Sequence, residues 1–242
     1  GALMLYEGEE SREYVSYYKW EVALWEVGPG ATVLEHVIPG ADFLDLEGST
    51  SRSFHSTHLP FALTLSHYLA NCKPLPKGPL WTAESPTIDG YALEGLPLDG
   101  QNSEFNRAGL VARARPQGAD PEIEGLLWGE SELQAHLSNS LPWTFEAGGR
   151  TWAVSLRHER YPMPFTVKLD DFEHELHPRT NTFKLFQSDV TLSEGDELRS
   201  VRISMNEPLR DRGLVLFQSG WGPQGLRNPS RYYSVFSVVR NP

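Results

Sequence analysis

With 242 residues, the chain is long enough for one large β domain or for two domains of about 100 to 120 residues. Its formal net charge of −11 at pH 7 argues against a nucleic-acid partner, and its single cysteine, Cys72, excludes an internal disulfide and every metal motif built from several cysteines. Seven Trp, nine Tyr and eleven Phe can fill a core, whereas 21 Gly and 18 Pro interrupt the sequence too often for long helices, so the composition predicts β structure with many turns.

In chain order, the first strand signal is segment 20–24, whose apolar and polar residues alternate. Segment 59–65 then aligns without gaps with segment 163–169, and Pro74 falls on Pro178 at the same offset. An internal repeat of this length would give two similar β units, although short matches around Pro-Phe also arise by chance.

One short helix is predicted between the two halves of the chain. Ser131 can accept a hydrogen bond from the backbone amide of Gln134 while the Gln134 side chain reaches back to Ser131, as in a capping box. We therefore expect a first β unit at residues 1–130, a connecting helix at 131–141 and a second β unit at 142–242 that carries the most distinctive motifs.

The last third of the sequence has the strongest strand signals. Segment 147–150 predicts a hairpin turn, and alternation predicts strands at 152–157, 165–170 and 201–206. Segment 213–217 is apolar on both faces, which is typical of a central strand. The fold class indicated is mainly β, with either one antiparallel sandwich or two. If there are two, they would be repeated β units joined by the short helix.

No membrane or targeting segment is predicted in the sequence itself. The start has neither the basic segment nor the apolar run of a signal peptide. The longest stretch without Lys, Arg, Asp or Glu, 53–72, contains three His together with Ser, Thr and Asn, which would be costly in a bilayer. Both ends are expected to lie within a longer protein.

An acidic cluster is the first candidate for chemistry. Asp170 and Asp171 are adjacent, and Glu173 and Glu175 follow them. Paired carboxylates catalyse hydrolysis when they face each other across a substrate. Neighbours on a strand point to opposite faces, so we expect these carboxylates to be solvated or to cap a turn.

Two histidine pairs have a spacing of three residues. His174 and His177 form one pair, and His55 and His58 form the other. On a helix this spacing would place both imidazoles on one face and could bind a metal, whereas on a strand the rings point apart. The strand or turn interpretation is favoured, and His174 and His177 are kept as contact candidates.

Cys72 and Trp221 are the remaining contact candidates. Cys72 has no partner in a Cys-x-x-Cys motif, so it is either a small packed group or a thiol that meets a partner's cysteine. Trp221 lies between two glycines in Ser219–Pro223, a segment that resembles a loop, and it is therefore predicted to be an exposed contact residue.

Four ordered blocks in the last third carry a family resemblance. The blocks are Asp170-Asp171-Phe172, Ser188-Asp189-Val190, Asn206-Glu207-Pro208-Leu209 and Phe217-Gln218-Ser219. They resemble the extracytoplasmic region of the ResB-like family of cytochrome c biogenesis proteins. Four blocks in the same order are far more specific than any one of them. The resemblance weakens before about residue 164.

The blocks also have a structural interpretation. Asn206 and Pro208 are expected to set a turn, Gly213 to relieve the bend that follows, and Gln218 to satisfy backbone groups at a strand end. No catalytic or metal-ligating residue is predicted among them.

The resemblance implies an assembly factor and argues against an enzyme. It implies a membrane-anchored protein at the periplasmic face of the bacterial inner membrane, with a haem-handling membrane protein and apocytochrome c as partners. The family's haem-associated membrane histidines would lie outside this chain, so no cofactor is predicted here, and haem would come through the full-length protein or its partner. The membrane segments would flank the region given by the sequence.

Two other classes stay open at this stage. A β-sandwich carbohydrate-binding module would account for the aromatic residues and the acidic charge. A glycoside hydrolase of sandwich fold would need two facing carboxylates, such as one of Asp170 or Asp171 with a partner. Neither class accounts for the four ordered blocks.

Overall fold

The structure, a computed structural model, describes residues 1–30, 33–129, 141–178, 183–226 and 228–241. Within those residues the chain forms sixteen β-strands and two short 3₁₀ helices, and the strands pair antiparallel. The prediction of a mainly β, antiparallel fold is confirmed. Residues 131–140, on which most of the predicted connecting helix falls, lie outside the described part of the chain.

The strands are numbered in chain order. They are β1 (Ala2–Tyr6), β2 (Glu10–Val27), β3 (Glu35–Pro39), β4 (Ser51–Phe54), β5 (Phe61–Leu69), β6 (Cys72–Pro76), β7 (Tyr91–Gly95), β8 (Gly109–Pro116), β9 (Ile123–Trp128), β10 (Trp143–Ala147), β11 (Arg150–Leu176), β12 (Phe183–Glu194), β13 (Glu197–Ser204), β14 (Leu209–Asp211), β15 (Leu214–Gly222) and β16 (Tyr233–Arg240). The 3₁₀ helices span Gly40–Asp42 and Ser103–Phe105. Among the described residues, no helix has the length and apolar character needed to cross a membrane.

The described chain divides into two compact units. The terminal unit comprises Gly1–Tyr17 and Arg160–Pro242, and the central unit comprises Tyr18–Glu159. These bounds differ from the division at residues 131–141 expected from the sequence, and a division into 1–130 and 142–242 stays a prediction.

The terminal unit is built from strands at both ends of the sequence. β11 pairs with β12 and β12 with β13, while β1 lies between β2 and β16, and β15 pairs with both β16 and β14. The predicted alternation at 165–170 is confirmed, because Phe165, Val167 and Leu169 are buried and Lys168 is exposed. These side chains form one apolar cluster with residues of β1, β12, β13, β15 and β16.

The central unit contains a four-stranded sheet in the order β4-β5-β8-β9 and a separate β6–β7 pair. β3 pairs with β2, and β10 pairs with β11. Its core is rich in aromatic residues. The ring of Phe61 meets Phe145 and Trp152 edge to face, with ring centroids 4.9 and 5.3 Å apart. Such edge-to-face pairs add to the stabilisation from burial alone.

In the central unit, the polar residues of an alternating strand do not always face solvent. Arg157 and Glu21 alternate with apolar neighbours, yet both are buried. Arg157 Nε donates to Glu21 Oε1 at 3.0 Å, and its two Nη atoms donate to the Glu35 carboxylate at 2.9 and 2.7 Å. Mutual pairing is what makes burial of these charges tolerable.

The predicted hairpin turn at 147–150 joins β10 to β11. Ala147 pairs with Arg150, and the two residues between them, Gly148 and Gly149, have φ of +60° and +73°. Two consecutive positive φ values are what a tight two-residue hairpin requires, and glycine adopts them without steric cost.

Candidate functional site

A β-bulge in β11 lies at the centre of the candidate site in the terminal unit. The register against β12 shifts between Leu169 and Asp171, which leaves Asp170 as the extra residue. Asp170 and Asp171 are both exposed, whereas Leu169 and Phe172 on either side are buried. The expected alternation of the two aspartates does not hold here, because a bulge interrupts the period of two.

The turn between β1 and β2 holds this bulge through Glu7. Glu7 Oε1 accepts a hydrogen bond from the backbone amide of Phe172 at 3.0 Å, and Glu7 Oε2 accepts one from the amide of Tyr232 at 3.0 Å. The Glu7 amide in turn donates to the Tyr232 carbonyl at 2.9 Å. One carboxylate therefore ties together two backbone segments that are far apart in the sequence.

Four rings cluster beside Glu7. His174 stacks on Trp221 with centroids 4.8 Å apart, and Phe172 also stacks on Trp221, with centroids 5.2 Å apart. Tyr232 meets His174 edge to face at 5.3 Å. Trp221 is only 9% exposed and belongs to β15. Its prediction as an exposed loop residue is corrected, because β15 continues through the two flanking glycines.

A buried polar network lies behind the aromatic cluster. Ser188 Oγ donates to Gln218 Oε1 at 2.6 Å, and the hydroxyls of Ser188 and Ser234 share a hydrogen bond of 2.7 Å. Gln218 Nε2 donates to the Gly220 carbonyl at 2.9 Å, across the register shift of β15. Strand β12 is not a neighbour of β15 or β16 in the sheet, so these bonds cross the interior of the unit. A fully satisfied buried network specifies one arrangement of its strands.

The acidic group on the surface of β11 and β12 consists of Asp171, Glu173 and Asp189. Their carboxylate oxygens lie within 4.8 Å of one another. Burial raises the pKa of Asp171, and the nearby carboxylates of Glu7 and Glu173 raise it further. A side-chain hydrogen bond from Arg202 instead lowers the pKa of Asp189.

Two of the three carboxylates in the acidic group, those of Asp189 and Glu173, have a partner outside the group. Arg202 makes a bidentate pair with Asp189 at 2.7 and 2.9 Å, and Gln187 Nε2 donates to Glu173 at 2.6 Å. The group is a negatively charged surface, and its ion pair is exposed. The carboxylate oxygens of the group lie within 4.8 Å of one another, closer than the separation of about 5 to 5.5 Å between the paired carboxylates of retaining glycosidases, so the group does not match that arrangement.

The other sequence candidates lie apart from this group. His177 is exposed beyond the end of β11, so the His174–His177 pair does not share a helical face. Asn206 and Pro208 lie in the turn between β13 and β14, which the amide of Ser204 closes by donating to the Glu207 carbonyl at 3.2 Å. Gly213 has φ of +74° in the turn before β15.

Cys72 lies in the central unit, in the first position of β6. It is 1% exposed, and a Cβ atom at Gly109 would come within 2.4 Å of its Sγ. Burial raises the pKa of the Cys72 thiol to about 12, so the thiol is neutral at physiological pH. These features favour the interpretation of Cys72 as a packed group.

We expect the Cys72 thiol of the native protein to react with a disulfide reagent such as DTNB at least about 100-fold more slowly than a free thiol, since only the thiolate attacks. The measurement is the rate of thionitrobenzoate release at pH 8 with and without denaturant. The denatured protein should release one equivalent rapidly, and Cys72→Ser should release none. Stoichiometric release within minutes from the native protein would contradict the burial argument.

Glu7, Tyr232 and Ser234 were not predicted from the sequence. Glu7 occupies an ordinary Glu-Gly-Glu turn, and its two amide partners lie 165 and 225 residues away. No local pattern signals such a contact. Tyr232 and Ser234, near the start of β16, likewise belong to no sequence pattern that marks them as site residues.

Residues 141–237 match the model of the ResB-like family. The cytochrome c biogenesis protein Ccs1 of Pyropia yezoensis is 36% identical over 68 residues, which is 27% of this chain and 15% of the relative. The cytochrome c biogenesis protein CcsB of Crocosphaera subtropica is 26% identical over 121 residues, which is 48% of this chain and 26% of the relative. The matches thus span about a quarter or less of the length of these curated relatives.

The fold and the matched region agree with the expectations from the sequence. The chain is an antiparallel β protein, and the resemblance predicted from the four blocks is confirmed over residues 141–237, which contain all of them. Over residues 141–237 the chain is similar to the ResB-like family.

Proposed function

We propose that the chain is the extracytoplasmic domain of a membrane-anchored cytochrome c maturation factor, placed at the periplasmic face of the bacterial inner membrane. The observation that carries the proposal is that residues from three family blocks meet in one place. Phe172, Ser188 and Gln218 belong to different blocks, and they form or support the aromatic cluster and the network behind it. The relatives' names point to the same process.

The domain would act as a scaffold and not as an enzyme. Its partners would be a haem-handling membrane protein and apocytochrome c, with haem supplied through the full-length protein or its partner. We assign the partner contact to the acidic group of Asp171, Glu173 and Asp189, because exposed charge steers association and favours partners of opposite sign.

The test is deletion of the native gene in a host with a single maturation route, followed by haem-stained gels for covalently haemylated cytochromes c. The stained bands should disappear in the deletion strain and return with the full-length wild-type gene. Full-length protein carrying Asp171→Asn with Glu173→Gln should restore them to about a fifth or less, because neutralising charges at a contact slows association.

A matched variant controls for the change in net charge. Asp196→Asn with Glu197→Gln removes the same two charges from exposed positions at the β12–β13 turn, and it should restore the bands fully. Unchanged cytochromes in the deletion strain would refute the maturation role. Full rescue by the Asp171 and Glu173 variant would refute only the assignment of the contact surface.

A further inference from the structure

An open backbone edge lies in the terminal unit, along β13. This strand pairs with β12 on one side and is the last strand at one end of its sheet. Its eight pairs with β12 follow one another without a register shift, and it contains neither proline nor lysine. Edge strands in proteins are commonly protected by shortness, bulges, proline or lysine. β14, at the other end of the same sheet, has only three residues, so β13 is the longer and less protected of the two ends.

The backbone of Ser204 shows which groups of β13 point away from β12. The Ser204 amide donates to the Glu207 carbonyl at 3.2 Å, and the Glu207 amide donates to the Ser204 carbonyl at 3.3 Å. In an antiparallel pair this outward direction recurs at every second residue, so the N–H and C=O groups of Leu198, Ser200 and Arg202 face the open edge. Among the residues that the structure describes, these backbone groups have no hydrogen-bond partner.

A cavity of about 360 Å³ lies beside the first residues of β13. Phe165 and Leu192 provide its buried apolar lining, and both belong to the same apolar cluster as Ile203 of β13. Leu198, which is 74% exposed, lies at its rim. An apolar side chain in this cavity would remove the surface of Leu198 from water and extend the cluster, which is favourable. The open edge and the cavity are adjacent, because Leu198 borders both.

The two arginines of β13 are engaged in ion pairs and do not cover the edge. Arg202 makes the bidentate pair with Asp189 of the acidic group, and Arg199 pairs with Asp211 of β14. The Arg199 side chain is more than half exposed. Ion pairs of this kind contribute little to stability, so this link between β13 and β14 costs little to open.

We propose that the open edge of β13 binds an extended segment of another polypeptide, which pairs with it as an additional antiparallel strand. A row of unpaired N–H and C=O groups is complementary to the backbone of another strand and therefore selects an extended polypeptide. Residues of the segment opposite Leu198, Ser200 and Arg202 exchange the backbone hydrogen bonds, and the residues between them direct their side chains toward the cavity. Segments with apolar residues at alternate positions are therefore preferred. This binding goes beyond the proposed function and does not rest on it.

The probe is a fluorescein-labelled peptide of alternating Val and Thr residues, as long as β13, and fluorescence anisotropy measures its binding to the 242-residue chain. Saturable binding of one equivalent is expected. With the Val side chains in the cavity, the Thr amides face β13, so N-methylation of the Thr residues should weaken binding at least about tenfold. N-methylation of the Val residues places the same groups on the far edge. That peptide is the matched control and should bind like the unmodified one.

A change in β13 tests the same contact from the side of the protein. Ser200→Pro removes an outward amide without removing a hydrogen bond to β12, so it should fold and should bind the peptide at least about tenfold more weakly. Ser200→Ala keeps the amide and should bind like wild type. Thermal melts verify that both variants are folded. In hydrogen exchange followed by NMR, the amides of Leu198, Ser200 and Arg202 should exchange more slowly when the peptide is bound.

Equal binding of the two methylated peptides, or the absence of saturable binding, would overturn the proposal. If Ser200→Pro does not fold, the two methylated peptides still decide the question. A dimer in light scattering that Ser200→Pro abolishes, together with no binding of the peptide, would assign the edge to a second copy of this chain and would also overturn the proposal. Cytochrome maturation is not measured in these experiments, so failure here leaves the maturation role untouched.

Discussion

Replacement of Arg157 by alanine is expected to lower the free energy of unfolding by about 3–5 kcal/mol. Arg157 and Glu21 are 4% and 5% exposed, and Arg157 is the partner of both Glu21 and Glu35. Removing the guanidinium leaves the Glu21 carboxylate buried without an opposite charge. Urea unfolding at pH 7, followed by circular dichroism, measures the change.

Two further variants separate the loss of pairing from the loss of side-chain packing. Arg157→Met combined with Glu21→Gln removes both buried charges while keeping similar volume, and it should recover at least half of the loss. Arg115→Ala breaks an ion pair with Glu122 in which the arginine side chain is 76% exposed, and it should cost less than about 1 kcal/mol. Equal losses for Arg157→Ala and Arg115→Ala would contradict the argument.

The second large effect is a loss of stability as the pH falls, caused by His158. His158 is buried in the central unit, its ring centroid lies 4.0 Å from that of Trp20, and its Nε2 has no hydrogen-bond partner among the described residues. Burial, with a smaller contribution from the charge of Arg107, lowers its pKa to about 4.

The sign follows from proton binding. Between pH 6.5 and about 4 the unfolded histidine binds a proton that the folded one excludes, so stability is fully present above pH 6.5 and is lost as the pH falls through this window. At about 1.4 kcal/mol per pKa unit, the whole window corresponds to about 3 kcal/mol. The measurement is the unfolding free energy from urea titrations at pH 7 and pH 4.5.

A variant without the ionisable ring isolates this contribution from the carboxylates. His158→Asn should lose stability at pH 7 through poorer packing, but its further loss between pH 7 and pH 4.5 should be smaller than that of wild type by about 2 kcal/mol. The same pH dependence in both proteins would mean that His158 is accessible to protons in the folded state.

The sequence predicted structure where the local pattern and the environment agree. Segment 165–170 alternates, and its polar residues do face solvent, so its strand and its buried residues were both predictable. The hairpin at Gly148 and Gly149 was predictable because two consecutive glycines meet a specific backbone requirement. The four blocks predicted the family resemblance because four specific short motifs occur in the same order as in that family.

The candidate site was less predictable because its contacts are not local. The bulge at Asp170 depends on the pairing of β11 with β12, and the Asp-Asp pair alone does not predict it. Trp221 lies between Gly220 and Gly222 and so resembles a loop residue, yet stacking on Phe172 and His174 buries it. Glu7 acquires its role only when three distant segments meet. Tertiary contacts overrode local propensity at each of these positions.

The pairing of β1 with β16 has a consequence for how the polypeptide acquires its structure. Ala2 pairs with Ser237 and Tyr6 with Tyr233. The hydrogen bonds between β1 and β16 can therefore form only after the last strand of this sequence has been synthesised. Residues 18–159, a contiguous stretch, can condense earlier. As the chain emerges from a ribosome or a translocation channel, β1 would present an unsatisfied edge for most of that time, which is when chaperone protection against misassembly matters most.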